Sequence, residues 1–254
     1  MSNAPDSTGE NTSKSPPKQK QQKKKKKSTD RPAAAAAIYA LAVILLLLPV
    51  YEWLANAWYF YVATSEYLVL FLHLPARLFA LVGFVLMFYQ FVLGMRLPII
   101  EKVFNRATNL KRHRTLGKIA FVLILLHGVL LLAFDYFGTF GELMFDTYRV
   151  IGMIAIVLMI LAVIPAWYFR PLKLSRKTWT TIHLGGYVVF PLGFLHGRAL
   201  GAEFSTGTWT VNVLFSALFA IYCLLLAYRL YLAYTSMAQP QAKTARPAAA
   251  KAKG

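Results

Sequence analysis

Between Ala33 and Met237 the chain holds several overwhelmingly apolar runs of eighteen residues or more, a pattern that a water-soluble domain of 254 residues does not carry. A helix rises about 1.5 Å per residue, so about twenty such residues cross the roughly 30 Å of a bilayer's hydrocarbon. The runs predict helices over about 33–54, 76–96, 115–135, 149–169, 180–199 and 210–234. The expected fold class is therefore all-α: a polytopic membrane protein, a six-transmembrane-helix bundle at 33–236 with disordered basic tails at 1–32 and 237–254. The aromatic-rich segment 57–74 reads as an interfacial stretch between the first two helices, its apolar part running on into the second.

The formal net charge of +18 looks at odds with 57% hydrophobic residues until the charge is located. With the N-terminus placed in the cytoplasm, the inner segments hold twenty-five of the 28 Lys and Arg and four of the ten acids. The outer segments keep only Arg77, Arg149 and Arg198 against Glu52, Glu66, Asp135, Glu142, Asp146 and Glu203. Every loop then obeys the positive-inside rule, which five or seven crossings would break. The reading places both termini in the cytoplasm and the chain in the cell's inner membrane.

Residues 1–32 are Ser, Pro, Gln and Lys without large apolar side chains, a composition that cannot offset the entropy of ordering. Beside a membrane helix, the Lys23–Lys27 run reads as a topology anchor that meets anionic lipid headgroups, with no nucleic acid as partner. Nothing at the N-terminus resembles a cleavable signal peptide. Cys223 is the only cysteine and reads as a small apolar helix residue, so neither a disulfide nor a thiolate metal site is expected.

Five histidines remain: His73, His113, His127, His183 and His196. Four of them fall on the third and fifth predicted helices, which cross in the same direction. His113 and His183 then lie near the cytoplasmic end, His127 and His196 toward the outer end. Fourteen and thirteen residues separate them along the two helices, or about 21 and about 20 Å of rise. Two depth-matched imidazole pairs suit b-type haem, held by axial imidazoles from facing helices, in a transmembrane electron path. A straight helix brings His113 and His127 back to one face but leaves His183 and His196 about 140° apart in phase. The pairing therefore requires a kink or a change of winding, for which Gly185, Gly186, Pro191 and Gly193 are available. His73 reads as an interfacial residue outside the pairs.

The motifs around these histidines are His113-Arg114-Thr115-Leu116-Gly117, Leu126-His127-Gly128, Trp179 four residues before His183, and Leu195-His196-Gly197 followed by Gly201. Together they resemble the ferric-reductase-like transmembrane domain, a family that includes ferric reductases, the membrane half of NADPH oxidases and a haem-bearing membrane subunit of a periplasmic methionine sulfoxide reductase system. The resemblance spans roughly 75–235. It implies two bis-histidine haems b, His113 with His183 on the inner one and His127 with His196 on the outer one. It further implies Arg112 and Arg114 near the inner propionates and Arg198 near the outer ones. Gly117, Gly128, Gly186 and Gly197 would admit a flat macrocycle or serve ordinary helix packing.

Only about twenty residues follow the sixth predicted helix, and no Gly-rich dinucleotide fingerprint appears, so no flavin or nicotinamide domain is expected. The electron donor would be a separate protein, a membrane quinol or a loosely held flavin. The acceptor would be ferric iron, oxygen or a periplasmic reductase, and the chain an oxidoreductase component. Two rivals are a quinone-coupled cytochrome b anchor of a periplasmic reductase and a transporter using its histidines as proton carriers.

Overall fold

The computed structural model describes residues 32–63, 66–139, 143, 145–168, 170–205 and 209–238. The two basic tails lie outside the described residues, except for Pro32 and 237–238, which are helix ends. Every regular element among the described residues is a helix: α1 Pro32–Ala63, a π-helical turn Val69–His73 running into α2 Leu74–Gly94, α3 Pro98–Val103, α4 Arg106–Gly138, α5 Thr147–Tyr168, α6 Arg176–Leu184, α7 Gly186–Leu200, α8 Ala202–Ser205 and α9 Trp209–Ala238.

Five helical stretches are long and apolar enough to cross a membrane by length and composition: Pro32–Ala57, Val69–Gly94, Arg106–Gly138, Thr147–Tyr168 and Trp209–Thr235. The expected span at 180–199 is instead two shorter helices, α6 and α7, meeting at Gly185. There the backbone tightens to three-residue hydrogen bonds, Gly185 N–H to the Ile182 carbonyl and Val188 N–H to the Gly185 carbonyl, both 2.9 Å. Within the expected interfacial stretch at 57–74, α1 continues to Ala63 and the π turn Val69–His73 leads directly into α2. Pro75, which cannot donate to the carbonyl four residues back, is absorbed by the wider π turn.

Polar residues set the helix starts at the basic end. The Asn105 side chain accepts from Thr108 N–H at 2.8 Å to cap α4, and Ser175 accepts from Thr178 N–H at 3.0 Å to cap α6. Along their length α2 packs on α4 and α5 on α6 and α7, while α1 and α9 flank α2. In a bilayer helices gain little from hydrophobic burial against each other, so dispersion and hydrogen bonds hold the bundle. Phe84 stacks between Phe190 and Phe215 with ring centres at 4.4 and 4.5 Å, joining α2, α7 and α9. Such ring pairs contribute about 0.5–1.5 kcal/mol each beyond their area. Trp53 Nε1 donates to the Leu74 carbonyl at 2.9 Å and the Tyr89 hydroxyl to the Ala42 carbonyl at 2.5 Å, fastening α1 to the π turn and α2. Leu41, Ile44, Leu47 and Leu224 are more than half exposed, the surface a lipid-facing helix presents.

Candidate functional site

The histidines come together in two pairs. The ring centres of His113 and His183 are 6.1 Å apart, and those of His127 and His196 are also 6.1 Å apart. The winding tightens at Gly185, where two three-residue hydrogen bonds meet between the α-helices α6 and α7, and this moves the phase of His196 toward the roughly 140° needed.

Each ring is oriented by the helix beside its own. His127 Nδ1 lies 3.0 Å from the Ala76 carbonyl of α2. His183 Nδ1 lies 3.1 Å from the Ala162 carbonyl and His196 Nδ1 2.8 Å from the Tyr148 carbonyl, both on α5. A carbonyl only accepts, so these three imidazoles carry a proton on Nδ1 and keep a lone pair on Nε2. That is the tautomer of a metal-ligating histidine with its outer partner in place. His113 Nδ1 instead meets the side-chain amide of Gln90 on α2 at 3.0 Å.

Sequence reasoning did not find these partners. Backbone carbonyls leave no trace in residue identity, although Gln90 is a polar residue in an apolar run. Gly152 on α5 is a second omission. A Cβ there would lie 2.5 Å from His196 Nδ1 and 2.7 Å from Cε1, so only glycine lets the ring approach α5.

A cavity of about 310 Å³ opens beside the His127–His196 pair. Its apolar wall includes Phe84, Leu131 and Met153, with Gly128, Gly152 and Gly197 at its floor, and its polar rim holds His73, Arg77, Asp135, Arg149 and Glu203. The rim charges are paired: Arg77 with Glu203 at 2.7 Å, both buried, and Arg149 with Asp135 at 2.6 Å and Asp146 at 3.0 Å. His73 packs on Phe134, ring centres 4.9 Å apart.

Arg112 donates to the Tyr39 hydroxyl and lies 4.2 Å over the Phe104 ring, facing α1 and α3. Arg114 is exposed. Arg198 is exposed too, 5.6 Å over the Phe204 ring, and the cations on the cavity wall are Arg77 and Arg149. Among the flanking glycines, Gly117 makes room for Gln90 and Gly128 for Ile156, whereas a Cβ on Gly186 would meet nothing within 4 Å.

Among the described residues no group of three or more His, Cys, Asp or Glu is placed to hold a metal ion. Two imidazoles alone bind a bare ion poorly, so these pairs suit a group that brings its own in-plane donors. The spacing agrees: a metal–nitrogen bond of about 2 Å plus about 1 Å from nitrogen to ring centre, taken on both sides, gives about 6 Å.

Fold and site together define a multi-pass α-helical membrane protein that presents two facing imidazole pairs at separate levels. Residues 79–194 match the family model of the ferric reductase-like transmembrane component, so this stretch is similar to that domain. The match takes in His113, His127 and His183 and ends two residues before His196. No curated protein and no solved structure matches the chain.

Proposed function

We propose that the protein is a di-haem b subunit that moves electrons across the inner membrane, with α6 and α7 together forming a sixth crossing and both termini in the cytoplasm. The observation that carries this reading is the pair of 6.1 Å imidazole gaps, each as wide as a six-coordinate iron requires. Haem b, when bound, supplies a one-electron Fe(III)/Fe(II) couple.

The chain supplies the rest. His113 with His183, and His127 with His196, would hold the two haems, one at each level. The α2 and α5 carbonyls hold the rings of His127, His183 and His196 so that Nε2 keeps its lone pair. At the His127–His196 level the cavity wall is mostly apolar, and Arg77 and Arg149 on it would meet an acidic edge. Arg198 and Arg112 are engaged with aromatic rings instead, and Arg114 is left as the cation for the His113–His183 level. Electrons pass outward from a cytoplasmic-side protein, quinol or flavin donor to ferric iron, oxygen or a periplasmic reductase, with lipid as the surrounding partner.

A reduced-minus-oxidised visible spectrum with a pyridine haemochrome count on the purified protein tests the reading. Two haems per chain are expected. His113→Ala or His183→Ala removes one of them, and His127→Ala or His196→Ala the other, with membrane insertion retained. Spectra unchanged in all four variants would refute the ligand assignment.

A further inference from the structure

His113 is the one paired imidazole whose Nδ1 does not face a helix carbonyl. One end of the Gln90 amide lies 3.0 Å from His113 Nδ1 and 2.8 Å from the His113 carbonyl oxygen, and the other end 3.1 Å from the Gly117 nitrogen. A carbonyl only accepts and a backbone N–H only donates. These partners therefore turn the amide nitrogen toward His113 and the amide oxygen toward Gly117. Gln90 then donates to Nδ1, and a neutral His113 must carry its proton on Nε2. Gly117 is what admits this side chain, since a Cβ there would come within 3.0 Å of it.

That tautomer cannot ligate through Nε2, because the lone pair is used by the proton. Ligation requires the proton on Nδ1, and Nδ1–H requires an acceptor. We propose that Gln90 is the positioning residue of the His113–His183 level: its amide turns over when the site is loaded, so that Oε1 accepts from His113 Nδ1–H and sets how strongly His113 donates to iron. The inference rests on the haem reading above. The turn is a rotation about the last side-chain torsion, which is broad and has no steep staggered barrier. It sets the amide oxygen beside the His113 carbonyl and the amide nitrogen beside Gly117 N–H, two like-with-like contacts that the unturned amide avoids, while the nitrogen then donates to the Leu86 carbonyl at 3.4 Å. His113 is therefore held less firmly than the three rings fixed on carbonyls.

The test uses full-length holoprotein made under haem-replete conditions, as wild type, Gln90→Glu and Gln90→Met, with Gln90→Leu as the acceptor-free variant. Haem per chain is counted, and each midpoint potential is followed by optical titration. The haem at this level is identified as the one lost in His183→Ala. A carboxyl group at position 90 accepts from Nδ1–H whether ionised or protonated. It strengthens donation to Fe(III) and lowers that haem's midpoint. Leucine cannot accept, and a methionine sulfur accepts only weakly. The same midpoint then rises, and retention of that haem falls roughly 10- to 100-fold. The other haem's midpoint does not move. Shifts of opposite sign at one level are expected from a hydrogen-bond acceptor and not from a packing defect. Two haems with unmoved potentials, or shifts of the same sign, would overturn the role of Gln90 alone. Wild-type protein without haem would overturn the haem reading itself.

Discussion

Replacing Gly152 with alanine tests how closely the His196 ring must approach α5. The added methyl carbon would sit 2.5 Å from Nδ1, 2.7 Å from Cε1 and 3.0 Å from Cγ. Three ring atoms are struck at once, so no small rotation of the imidazole clears the contact. Overpacking of this kind costs about 1–3 kcal/mol. Displacing the ring also breaks its 2.8 Å bond to the Tyr148 carbonyl, worth about 1 kcal/mol. The loaded state at the His127–His196 level should therefore lose about 2–4 kcal/mol, or roughly 30- to 1,000-fold in affinity. Haem titration into purified apoprotein, read at the Soret band, measures that loss directly. Gly128→Ala is the comparison, because its methyl would meet only the terminal carbon of Ile156 at 2.5 Å, which can swing aside. Gly138→Ala, at the end of α4, meets nothing within 4 Å and serves as the neutral control. Equal haem affinity in Gly152→Ala and Gly138→Ala would refute the argument that the ring's placement depends on a missing side chain.

Three other outcomes follow from single contacts. Glu203→Ala leaves the Arg77 guanidinium, with its side chain 8% exposed, without the carboxylate that neutralises it, and should cost about 3–5 kcal/mol in a detergent melt; an unchanged melting temperature would count against the buried pair. Ser175→Ala removes the cap of α6 and should cost about 1 kcal/mol, seen as faster hydrogen exchange in 176–179 while α4 is unaffected. Replacing Lys23–Lys27 with glutamine should disturb orientation, read by labelling cysteines introduced at each terminus, and leave the visible spectrum as it was.

Much of the fold is legible because the bilayer imposes it. Apolar runs and loop charge mark out the helices at 33–54, 76–96, 115–135, 149–169 and 210–234 to within a few residues at most ends. The misses have local causes. The stretch after Trp58 carries aromatic residues that suit an interface and a helix equally, and no breaker decides between them. At 180–199 hydropathy registers one run, whereas the backbone tightens at Gly185 and divides it. That division contributes to the phase correction that the thirteen-residue spacing of His183 and His196 requires. Pairing of the histidines could be read from depth alone. Arg77 could not be placed at the cavity, because its partner Glu203 comes from α8, 126 residues away in sequence.

The orienting groups escaped detection for a deeper reason. In water-soluble metal sites a ligating histidine often donates to a carboxylate. Within a bilayer an ionised carboxylate costs several kcal/mol, and among the described residues Asp135, Asp146 and Glu203 lie at or beside helix ends. A helix carbonyl is neutral, already present, and has a second lone pair beyond the one used in the helix ladder. Three of the four rings use it. Substituting Ala76, Tyr148 or Ala162 can therefore change packing around the rings but cannot remove their acceptors, because those belong to the backbone. Gln90 alone offers a side chain that can be exchanged without moving a helix. If the two levels differ in potential because their ligands are held differently, substitutions at position 90 should change that difference, while substitutions at 76, 148 and 162 should act only through packing.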